Sequence, residues 1–425
     1  MPTALIISSI FPPSNSAGGS IRLVKFIKYL SARGWTFVVY TQDVPNTFSR
    51  NQTLSDFLLE ELPNEASIIR VADPFVLGSP KGSHGWITRI VRRIFGESSV
   101  GWGINALRSG FANLQHCDFD LVFSVTPPFT NALVALLLAW MGQKPLVLDL
   151  KDDWVDSPTF RHKNVFRQII ERWLEKLIVS RASAVIAVTP QSFHLYRTRY
   201  ADLHLQSKFH LIPNGCDVGE YKRLKNRERK ILTERFLILS AASGFRKNYR
   251  DIAPFLFALD LFLQRRLDAK DKIDVVLLGD SLSAEYDELL STLDLNNIVR
   301  CIGALGRDDL VEQLWKADLF LLVQPVKNTT AISGTLYEYW ATGKAPILLI
   351  SEEGASSVLV EENRLGRHFH FHEVGPIADY LEEIFDSYVR QQPLWIERVG
   401  IEKFDRRRLA KRMDAIWREI LARNV

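Results

Sequence analysis

The sequence has few cysteines. Cys117, Cys216 and Cys301 are the three in 425 residues, and they are far apart and form no Cys-x-x-Cys pair. An odd, scattered set of this kind argues against a disulfide framework and against a cysteine-based metal site. We therefore expect a protein of a reducing compartment, the cytoplasm.

Long apolar runs are lacking as well. The longest apolar stretch, residues 132–141, is too short to cross a bilayer, which takes about 20 apolar residues. The first residues, MPTALIISSIF, have no basic segment before their apolar run. We predict a first β-strand there rather than a signal peptide, and no membrane-spanning segment.

Excess charge is small. The formal net charge is +4 and the pI is about 8.8, a bias too weak to indicate a nucleic-acid partner. The hydrophobic content of 47% and charged content of 24% are typical of a globular protein, and the length suggests two or three domains. The first predicted strand is followed by a glycine pair rather than by Gly-x-Gly-x-x-Gly. This argues against a dinucleotide site, and we expect no cofactor.

Short apolar runs alternate with longer amphipathic segments along the chain. The predicted strands are residues 4–10, 36–41, 68–71, 121–125, 145–150 and 184–188, then 236–240, 275–279, 299–302, 319–323, 346–350 and 368–372. The predicted helices between them include residues 21–32, 165–180, 252–264, 284–292 and 308–316. Such alternation is typical of α/β units with parallel sheets. It predicts two successive α/β domains, joined near the polar, turn-rich residues 214–235.

Two of the strands, residues 319–323 and 346–350, flank a polar loop and a short helix that Gly343 ends. Ser333 is the predicted N-cap, so the N–H groups of Gly334 and Thr335 point out of the helix start, where they and the helix dipole can bind phosphate. Glu338 lies one turn further along the same face, about 5–6 Å away. The spacing fits a nucleotide sugar, with diphosphate at Gly334 and ribose at Glu338. The alternative is that Glu338 merely complements the helix dipole.

The run SGTLYEYWATGKAP resembles the donor-site signature of retaining glycosyltransferases with the GT-B fold, of the family-4 kind. The resemblance implies two Rossmann-like domains that face each other across a cleft, with a last helix that crosses back to the first domain. We predict an acceptor-side domain in residues 1–215, a nucleotide-sugar domain in 216–400 and the returning helix in 401–425. That helix has an apolar stripe formed by Leu409, Met413, Ile416 and Ile420.

Two positions of the donor segment depart from the family pattern. Thr330 stands where the family often has a glutamate that contacts the donor sugar, and Thr335 stands where many relatives have a lysine. The resemblance still places both threonines in the donor site. Neither departure affects the predicted ribose contact of Glu338.

The densest acidic cluster is VLDLKDDWVDS, with Asp149, Asp152, Asp153 and Asp156. It follows a predicted strand, and ligands of open α/β sheets bind beyond the carboxyl ends of strands. The residues alone allow a metal site, a carboxylate that positions or deprotonates an acceptor hydroxyl, or a helix cap. Relatives carry D-x-R-D-x-W here, and GT-B enzymes generally need no metal. The resemblance therefore implies that Asp152 is the catalytic residue on the acceptor side, beside Asp149, and that no metal is bound.

Other strand-end loops add candidate residues. In FPPSNSAGGSIR, Gly18 and Gly19 precede a helix predicted to begin near Ser20, and Arg22 follows. A glycine pair is either a simple turn or a close approach of backbone to ligand. The resemblance favours the second for Gly18 and Gly19. Thr126, in VTPPFTN, is a further candidate donor of a hydrogen bond into the cleft.

The second domain begins with LSAASGFRKNYRD. Gly244, Arg246 and Lys247 follow its first strand, and two cations in such a loop suit a diphosphate, although an exposed basic loop would look the same. Gly279 matches a family position near the nucleotide base. A metal site in RHFHFH, residues 367–372, is weakly indicated because no carboxylate or cysteine accompanies the histidines.

Residues 86–95 have an amphipathic pattern. Six apolar residues recur at helical spacing, and Arg89, Arg92 and Arg93 lie opposite them. The pattern predicts peripheral contact with an anionic membrane surface, the alternative being an ordinary helix packed on its own domain.

The resemblance implies sugar transfer from a nucleoside-diphosphate sugar to an acceptor hydroxyl, with retention, in surface-polysaccharide synthesis. The acceptor would be a lipid-linked saccharide at the cytoplasmic face of the inner membrane. The alternatives are a sugar-nucleotide 2-epimerase on the same fold and a nucleotide-sugar-binding protein without turnover.

Overall fold

The computed structural model describes residues 1–13, 17–43, 52–73, 99–113, 118–155, 165–224, 234–242, 244–279, 282–303, 305–392 and 395–423. The amphipathic segment 86–95 and Asp156 lie outside these ranges. The chain forms two compact units, one of residues 1–213 with 406–425 and one of residues 214–405. We call them unit 1 and unit 2.

Unit 1 contains a parallel sheet. Its strands are β1 (Thr3–Ile7), β2 (Thr36–Gln42), β3 (Ser67–Val71), β4 (Leu121–Thr126), β5 (Leu146–Leu150), β6 (Ala184–Ala187) and β7 (Phe209–Leu211). Its first helices are α1 (Ala17–Ser31), α2 (Gln52–Glu60), α3 (Val100–Asn113), α4 (Thr130–Gly142), α5 (Val165–Arg181) and α6 (Pro190–Arg199). The strand order is β3-β2-β1-β4-β5-β6-β7, so the direction of winding reverses between β1 and β4.

Alternate residues of the strands enter two cores, one on each face of the sheet. Leu5 and Ile7 belong to the core covered by α3, α4, α5 and α6. Ala4 and Ile6 belong to the opposite core, which α1 and α2 cover. Unit 1 is therefore a sheet with a helical layer on either side.

Unit 2 contains a second parallel sheet, of order β10-β9-β8-β11-β12-β13. Its strands are β8 (Phe236–Ser240), β9 (Ile273–Leu278), β10 (Val299–Ile302), β11 (Leu319–Val323), β12 (Ile347–Ile350) and β13 (Gly366–Phe369). Its helices are α7 (Ala253–Arg265), α8 (Asp287–Thr292), α9 (Arg307–Lys316), α10 (Gly334–Thr342), α11 (Ala355–Glu362) and α12 (Val374–Val389). Every residue of β11 and β12 is buried, as expected of strands covered on both faces. The predicted α/β class is confirmed, and the winding reverses here between β8 and β11.

The last helix, α13 (Arg406–Arg423), packs in unit 1, which confirms that the chain crosses back. Leu409, Met413 and Ile420 of the predicted stripe are buried, whereas Ile416 is only partly buried. Trp417 fills the remaining place, with its ring 4.9 Å from that of Trp35. Trp417, the residue after Ile416, is thus buried in the place that the predicted stripe had given to Ile416.

Three local predictions were wrong in detail. Helix α1 begins at Ala17, so Gly18 and Gly19 lie in its first turn rather than before it. Its apolar periodicity starts only at Ile21, and glycines contribute no side chain to such a pattern. Strand β7 was not predicted because three residues are too few to give a signal, and β13 begins two residues and ends three residues earlier than the predicted 368–372. No helix within the described ranges is long and apolar enough to span a membrane.

Candidate active site

The loops that follow β8 and β11 meet at the reversal point of the unit 2 sheet. The N–H of Val326 donates to the carbonyl oxygen of Tyr249 over 2.7 Å, which joins the polar loop to the basic loop. Gly244 begins the basic loop with a φ of 78°, a conformation that favours glycine. Open α/β sheets bind ligands at such a point, beyond the carboxyl ends of the strands.

Helix α10 begins at this edge. Ser333 is its N-cap, with extended backbone, but its side chain makes no capping hydrogen bond. A Cβ atom added to Gly334 would meet no atom within 4 Å. The helix start therefore borders open space, and the donors of its first turn are accessible to an anion.

Glu338, one turn into α10, is held by two side chains. The Arg307 Nη2 atom donates to Glu338 Oε2 over 2.6 Å, and the Tyr221 hydroxyl donates to the same oxygen. The Arg307 Nε atom also donates to Glu220 Oε2 over 2.5 Å. Burial by itself lowers the pKa of Arg307, but Glu338, Tyr221 and Glu220 together raise it well above its ordinary value. The carboxylate of Glu338 thus has a fixed orientation and a permanent cation beside it.

The basic loop after β8 presents its cations differently. The Arg246 guanidinium lies 5.1 Å from the centre of the Tyr249 ring, and Lys247 is exposed, with its backbone N–H bonded to Glu285. Arg250, which was not predicted, lies 5.6 Å from the centre of the same ring. Burial lowers the pKa of its guanidinium. Two arginines therefore contact Tyr249, and the phosphate contacts of Arg246 and Lys247 stay predictions.

The polar loop that contains Thr330 is fixed on both sides. The N–H of Ala355 donates to the Thr329 carbonyl oxygen over 2.8 Å, and the Ser356 hydroxyl donates to the Ala331 carbonyl oxygen over 3.1 Å. Gly354 makes this close approach possible, because a Cβ atom there would lie 2.2 Å from the Thr329 oxygen. Elsewhere in unit 2, Gly279 directly follows β9 and has a φ of 112°.

We expect Gly354→Ala to displace this loop and to lower the stability of unit 2 by about 1–3 kcal/mol, the usual cost of overpacking. Gly375→Ala is the matched control, since a Cβ atom there meets nothing within 4 Å. Thermal melts with and without UDP would compare the two. If Gly354→Ala melts and responds to UDP like the control, the loop is not held by this contact.

In unit 1, the first turn of α1 and the carboxyl ends of β4 and β5 come together at the reversal point. The Lys151 Nζ atom donates to the Gly19 carbonyl oxygen over 2.8 Å, and the Lys151 N–H donates to the Thr126 carbonyl oxygen over 3.0 Å. The Thr126 hydroxyl donates to the Asp149 carbonyl oxygen over 3.3 Å. The structure thus brings together the loops predicted for the acceptor side, although Thr126 turns its hydroxyl toward the backbone.

Arg22 and Asp149 form a buried ion pair. The Nε and Nη2 atoms of Arg22 donate to the two carboxylate oxygens over 2.8 and 3.0 Å. Arg22 also donates to the carbonyl oxygens of Ile212 and Pro213 over 2.8 and 2.7 Å. Neither side chain faces solvent, so the ion pair stabilises this sheet edge. A contact of either residue with ligand stays a prediction.

Asp152 is partly buried next to this pair. Burial raises the pKa of its carboxyl, Lys151 opposes the rise and Asp153 adds to it. Burial also lowers the pKa of Lys151. A carboxylate with a raised pKa is the stronger base, which suits the removal of a proton from a hydroxyl group.

The rest of the acidic loop is rigidly supported. The Trp154 ring stacks on Phe129 at 4.4 Å, and the backbone N–H of Trp154 donates to the Tyr196 hydroxyl over 3.3 Å. The N–H of Val155 donates to the buried carboxylate of Glu175 over 3.2 Å. These contacts fix the backbone that directly follows Asp152.

Residues 17–220 match the family described as Glycosyltransferase Family 4. A search among curated proteins gave no match. Sucrose-phosphate synthase from Thermosynechococcus elongatus is similar in structure, with a TM-score of 0.68, 16% identity and 99% of both chains covered. HepE from Anabaena, in complex with UDP-glucose, has a TM-score of 0.59 and 16% identity, over 99% of this chain and 98% of that chain. WaaG, a glycosyltransferase involved in lipopolysaccharide biosynthesis, has a TM-score of 0.59 and 15% identity, over 99% of this chain and 98% of that chain.

The chain has the GT-B fold. The match over residues 17–220 indicates a sugar transferase, and together with the shared fold it confirms the resemblance on which the site residues were chosen.

The residues that hold Glu338 in this GT-B protein were not predicted. Arg307, Tyr221 and Glu220 are distant from Glu338 in sequence and match no motif that we used. One signal was available for Arg307. It is the first residue of α9, where a positive charge opposes the helix dipole, and such a local conflict indicates a partner elsewhere in the fold.

A cavity of about 430 Å³ lies in unit 1 behind the acidic loop. Val155, Glu175, Arg199 and Tyr200 line it, and Glu175 accepts hydrogen bonds from Arg199 and Tyr200 over 2.5 and 2.6 Å. None of the predicted site residues lines this cavity. Its ionic network supports the acidic loop through the hydrogen bond from the Val155 N–H to Glu175.

The histidine run does not form a metal site. The rings of His368, His370 and His372 follow one another at 5.0 and 5.6 Å, and His368 Nε2 lies 3.0 Å from the Ser351 carbonyl oxygen. Within the described part of the chain, no group of three His, Cys, Asp or Glu residues is placed to hold a metal ion.

Proposed function

We propose that this GT-B protein transfers a sugar from a nucleoside-diphosphate sugar to an acceptor hydroxyl, with retention at the anomeric carbon. The observation that carries the proposal is the arrangement on α10. An open helix start that suits a diphosphate lies one turn from a carboxylate held by Arg307 and Tyr221. HepE, which shares the fold, binds UDP and UDP-glucose, in support of this class of donor.

In the proposed reaction, unit 2 makes the contacts to the donor. The N–H groups of Gly334 and Thr335 bind the diphosphate, with Arg246 or Lys247 beside it, and Glu338 accepts hydrogen bonds from the ribose. Charge grows on the diphosphate as the glycosidic bond breaks. Donors and cations placed in advance stabilise that charge, and such electrostatic stabilisation is commonly the largest contribution to catalysis.

Unit 1 supplies the acceptor side. Asp152 positions the acceptor hydroxyl and takes up its proton, next to the first turn of α1. The reaction uses the nucleotide sugar as co-substrate, with no metal and no other cofactor. Thr330, in place of a glutamate, contacts the donor sugar through its hydroxyl alone.

The acceptor is proposed to be a lipid-linked saccharide in surface-polysaccharide synthesis. WaaG, with the same fold, acts in lipopolysaccharide biosynthesis. Such an acceptor requires peripheral contact with an anionic membrane surface, at the cytoplasmic face of the inner membrane.

Incubation with a panel of nucleotide sugars and saccharide acceptors tests the proposal. Release of nucleotide together with a glycosylated acceptor supports it, and NMR of the new linkage reports retention. An altered sugar still attached to its nucleotide would identify a 2-epimerase instead. Binding without turnover across the panel would leave a nucleotide-sugar-binding protein.

We expect Glu338→Gln to weaken donor binding by about 1.5–3 kcal/mol, or about 10- to 150-fold in Kd, because a charge-assisted hydrogen bond to ribose is lost. Glu220→Gln is the control, since it also removes a carboxylate partner of Arg307 but lies off α10. Calorimetry with UDP measures both variants. Equal losses for the two would mean that Arg307, not a ribose contact, accounts for the effect.

A further inference from the structure

Exposed apolar side chains are concentrated on one surface of unit 1. Nine of the fifteen large apolar side chains that are exposed in the described ranges lie on α3, α4 and α5. They are Ile104, Phe111, Leu137, Trp140, Val165, Phe166, Ile169, Ile170 and Trp173. Single exposed apolar residues are ordinary on protein surfaces, but a cluster of this kind marks an interaction site.

The three helices form a common layer. All of them contribute to the same core, on one face of the unit 1 sheet. Their other side is therefore the outer surface of the layer. On α5 the apolar residues fall at i, i+1, i+4, i+5 and i+8 from Val165, which places them on one face of the helix. Phe166 is 80% exposed and Trp173 is 62% exposed, so much of this face of α5 is left open by the described parts of the chain.

The charges on this layer are of one sign. Arg108 on α3 and Arg172, Lys176 and Arg181 on α5 are exposed. Helices α3 and α4 contain no acidic residue. The two glutamates of α5 are compensated by cations, because Glu171 forms an ion pair with Arg167 and Glu175 is buried against Arg199. We call the nine apolar residues and these four cations the apolar-basic surface.

We infer that the apolar-basic surface docks on the surface of an anionic lipid bilayer. Aromatic and aliphatic side chains enter the boundary between headgroups and acyl chains, while arginine and lysine contact lipid phosphates. A second copy of the chain fits less well. A twofold interface pairs the same patch with itself, which would bring these cations against one another. The inference rests on the membrane contact of the proposed function, but not on the transfer reaction.

This surface differs from the segment predicted to contact membrane. Residues 86–95 lie outside the described structure, whereas α3, α4 and α5 show their exposure directly. The contact is therefore assigned to helices of the folded unit, with Trp140 and Trp173 as the aromatic anchors.

The test is sedimentation of the full-length protein with vesicles of phosphatidylglycerol and phosphatidylcholine, against vesicles of phosphatidylcholine alone. One variant combines Phe166→Gln, Ile170→Gln and Trp173→Gln, and a second combines Arg172→Gln, Lys176→Gln and Arg181→Gln. The control variant combines Phe257→Gln and Leu267→Gln, which are exposed apolar residues of unit 2. Melting temperature and UDP binding report that each variant is folded.

We expect the wild type and the control to sediment with the anionic vesicles, and each surface variant to lose at least tenfold in partitioning. The wild type should bind more weakly as salt increases, because the cations contribute to binding. UDP binding should be unchanged in all variants, so a failed donor assignment is separable from a failed membrane assignment. Absence of wild-type binding, or equal binding by the apolar variant, overturns the inference. Sedimentation velocity that shows a wild-type dimer and a monomeric apolar variant, with no vesicle binding, would assign the surface to self-association instead.

Discussion

Replacing Asp152 with asparagine is expected to lower the rate of sugar transfer by about 100- to 10,000-fold, the usual contribution of a general base. The affinity for the donor should change little, because Asp152 belongs to unit 1 and the donor contacts belong to unit 2. Asparagine retains the shape and the hydrogen-bonding oxygen of the side chain but cannot accept the proton. Steady-state kinetics and calorimetry with UDP would measure the two quantities separately.

The pH dependence gives a second measure of the same group. Burial raises the pKa of Asp152 above the ordinary 3.8. The base must be deprotonated to act, so kcat/KM should fall as the pH drops through this raised pKa. The fall should therefore begin at a higher pH than for an exposed aspartate. In Asp152→Asn this acidic limb should disappear, along with most of the activity.

Asp153→Asn is the neighbouring control. Its carboxylate is buried in the same loop but lies close enough to Tyr196 and Glu175 to affect their pKa values, and thus belongs to the support behind Asp152. We expect it to alter thermal stability more than turnover. Full activity of Asp152→Asn would mean that this residue is a helix cap or surface charge. Equal losses in the two variants would mean that the loop as a whole, not one carboxylate, is required.

The sequence predicted most strands of the two sheets, because buried parallel strands leave short continuous apolar runs. β8 and β11 are continuous apolar runs that no helix of similar length would show with the same flanking loops, and both were predicted with the observed bounds. The placement of the candidate sites followed from them. Once the strand order is known, the reversal points between β1 and β4 and between β8 and β11 select the loops where ligands bind.

Side-chain partners across long sequence separations were not predictable in the same way. Tyr221 lies 117 positions from Glu338, and Arg22 lies 127 positions from Asp149. No local pattern connects such pairs, because the contact exists only after the sheet has formed. The sequence suggested that Arg22 and Asp149 are both ligand-facing, whereas the structure shows them bound to each other.

Replacing Arg22 with methionine is therefore expected to destabilise unit 1 by about 3–5 kcal/mol, the usual cost of removing one partner from a buried ion pair. Asp149 has no exposed surface, so its carboxylate would be left in the interior without its cation. The carbonyl oxygens of Ile212 and Pro213 would also lose their donors. Methionine matches the length of the aliphatic part of arginine, so the loss of packing is small and the lost charge dominates.

Urea unfolding followed by hydrogen exchange in β4, β5 and β6 would measure this effect in unit 1, independently of unit 2. Arg423→Met is the control, because that arginine forms an exposed ion pair with Glu419 in α13 and should cost no more than about 0.5 kcal/mol. The double variant Arg22→Met with Asp149→Leu should recover part of the stability, since no buried charge then remains. The recovery should be incomplete, because the two carbonyl oxygens still lack donors. A loss below about 1 kcal/mol for Arg22→Met, or no recovery in the double variant, would show that the pair does not hold this sheet edge.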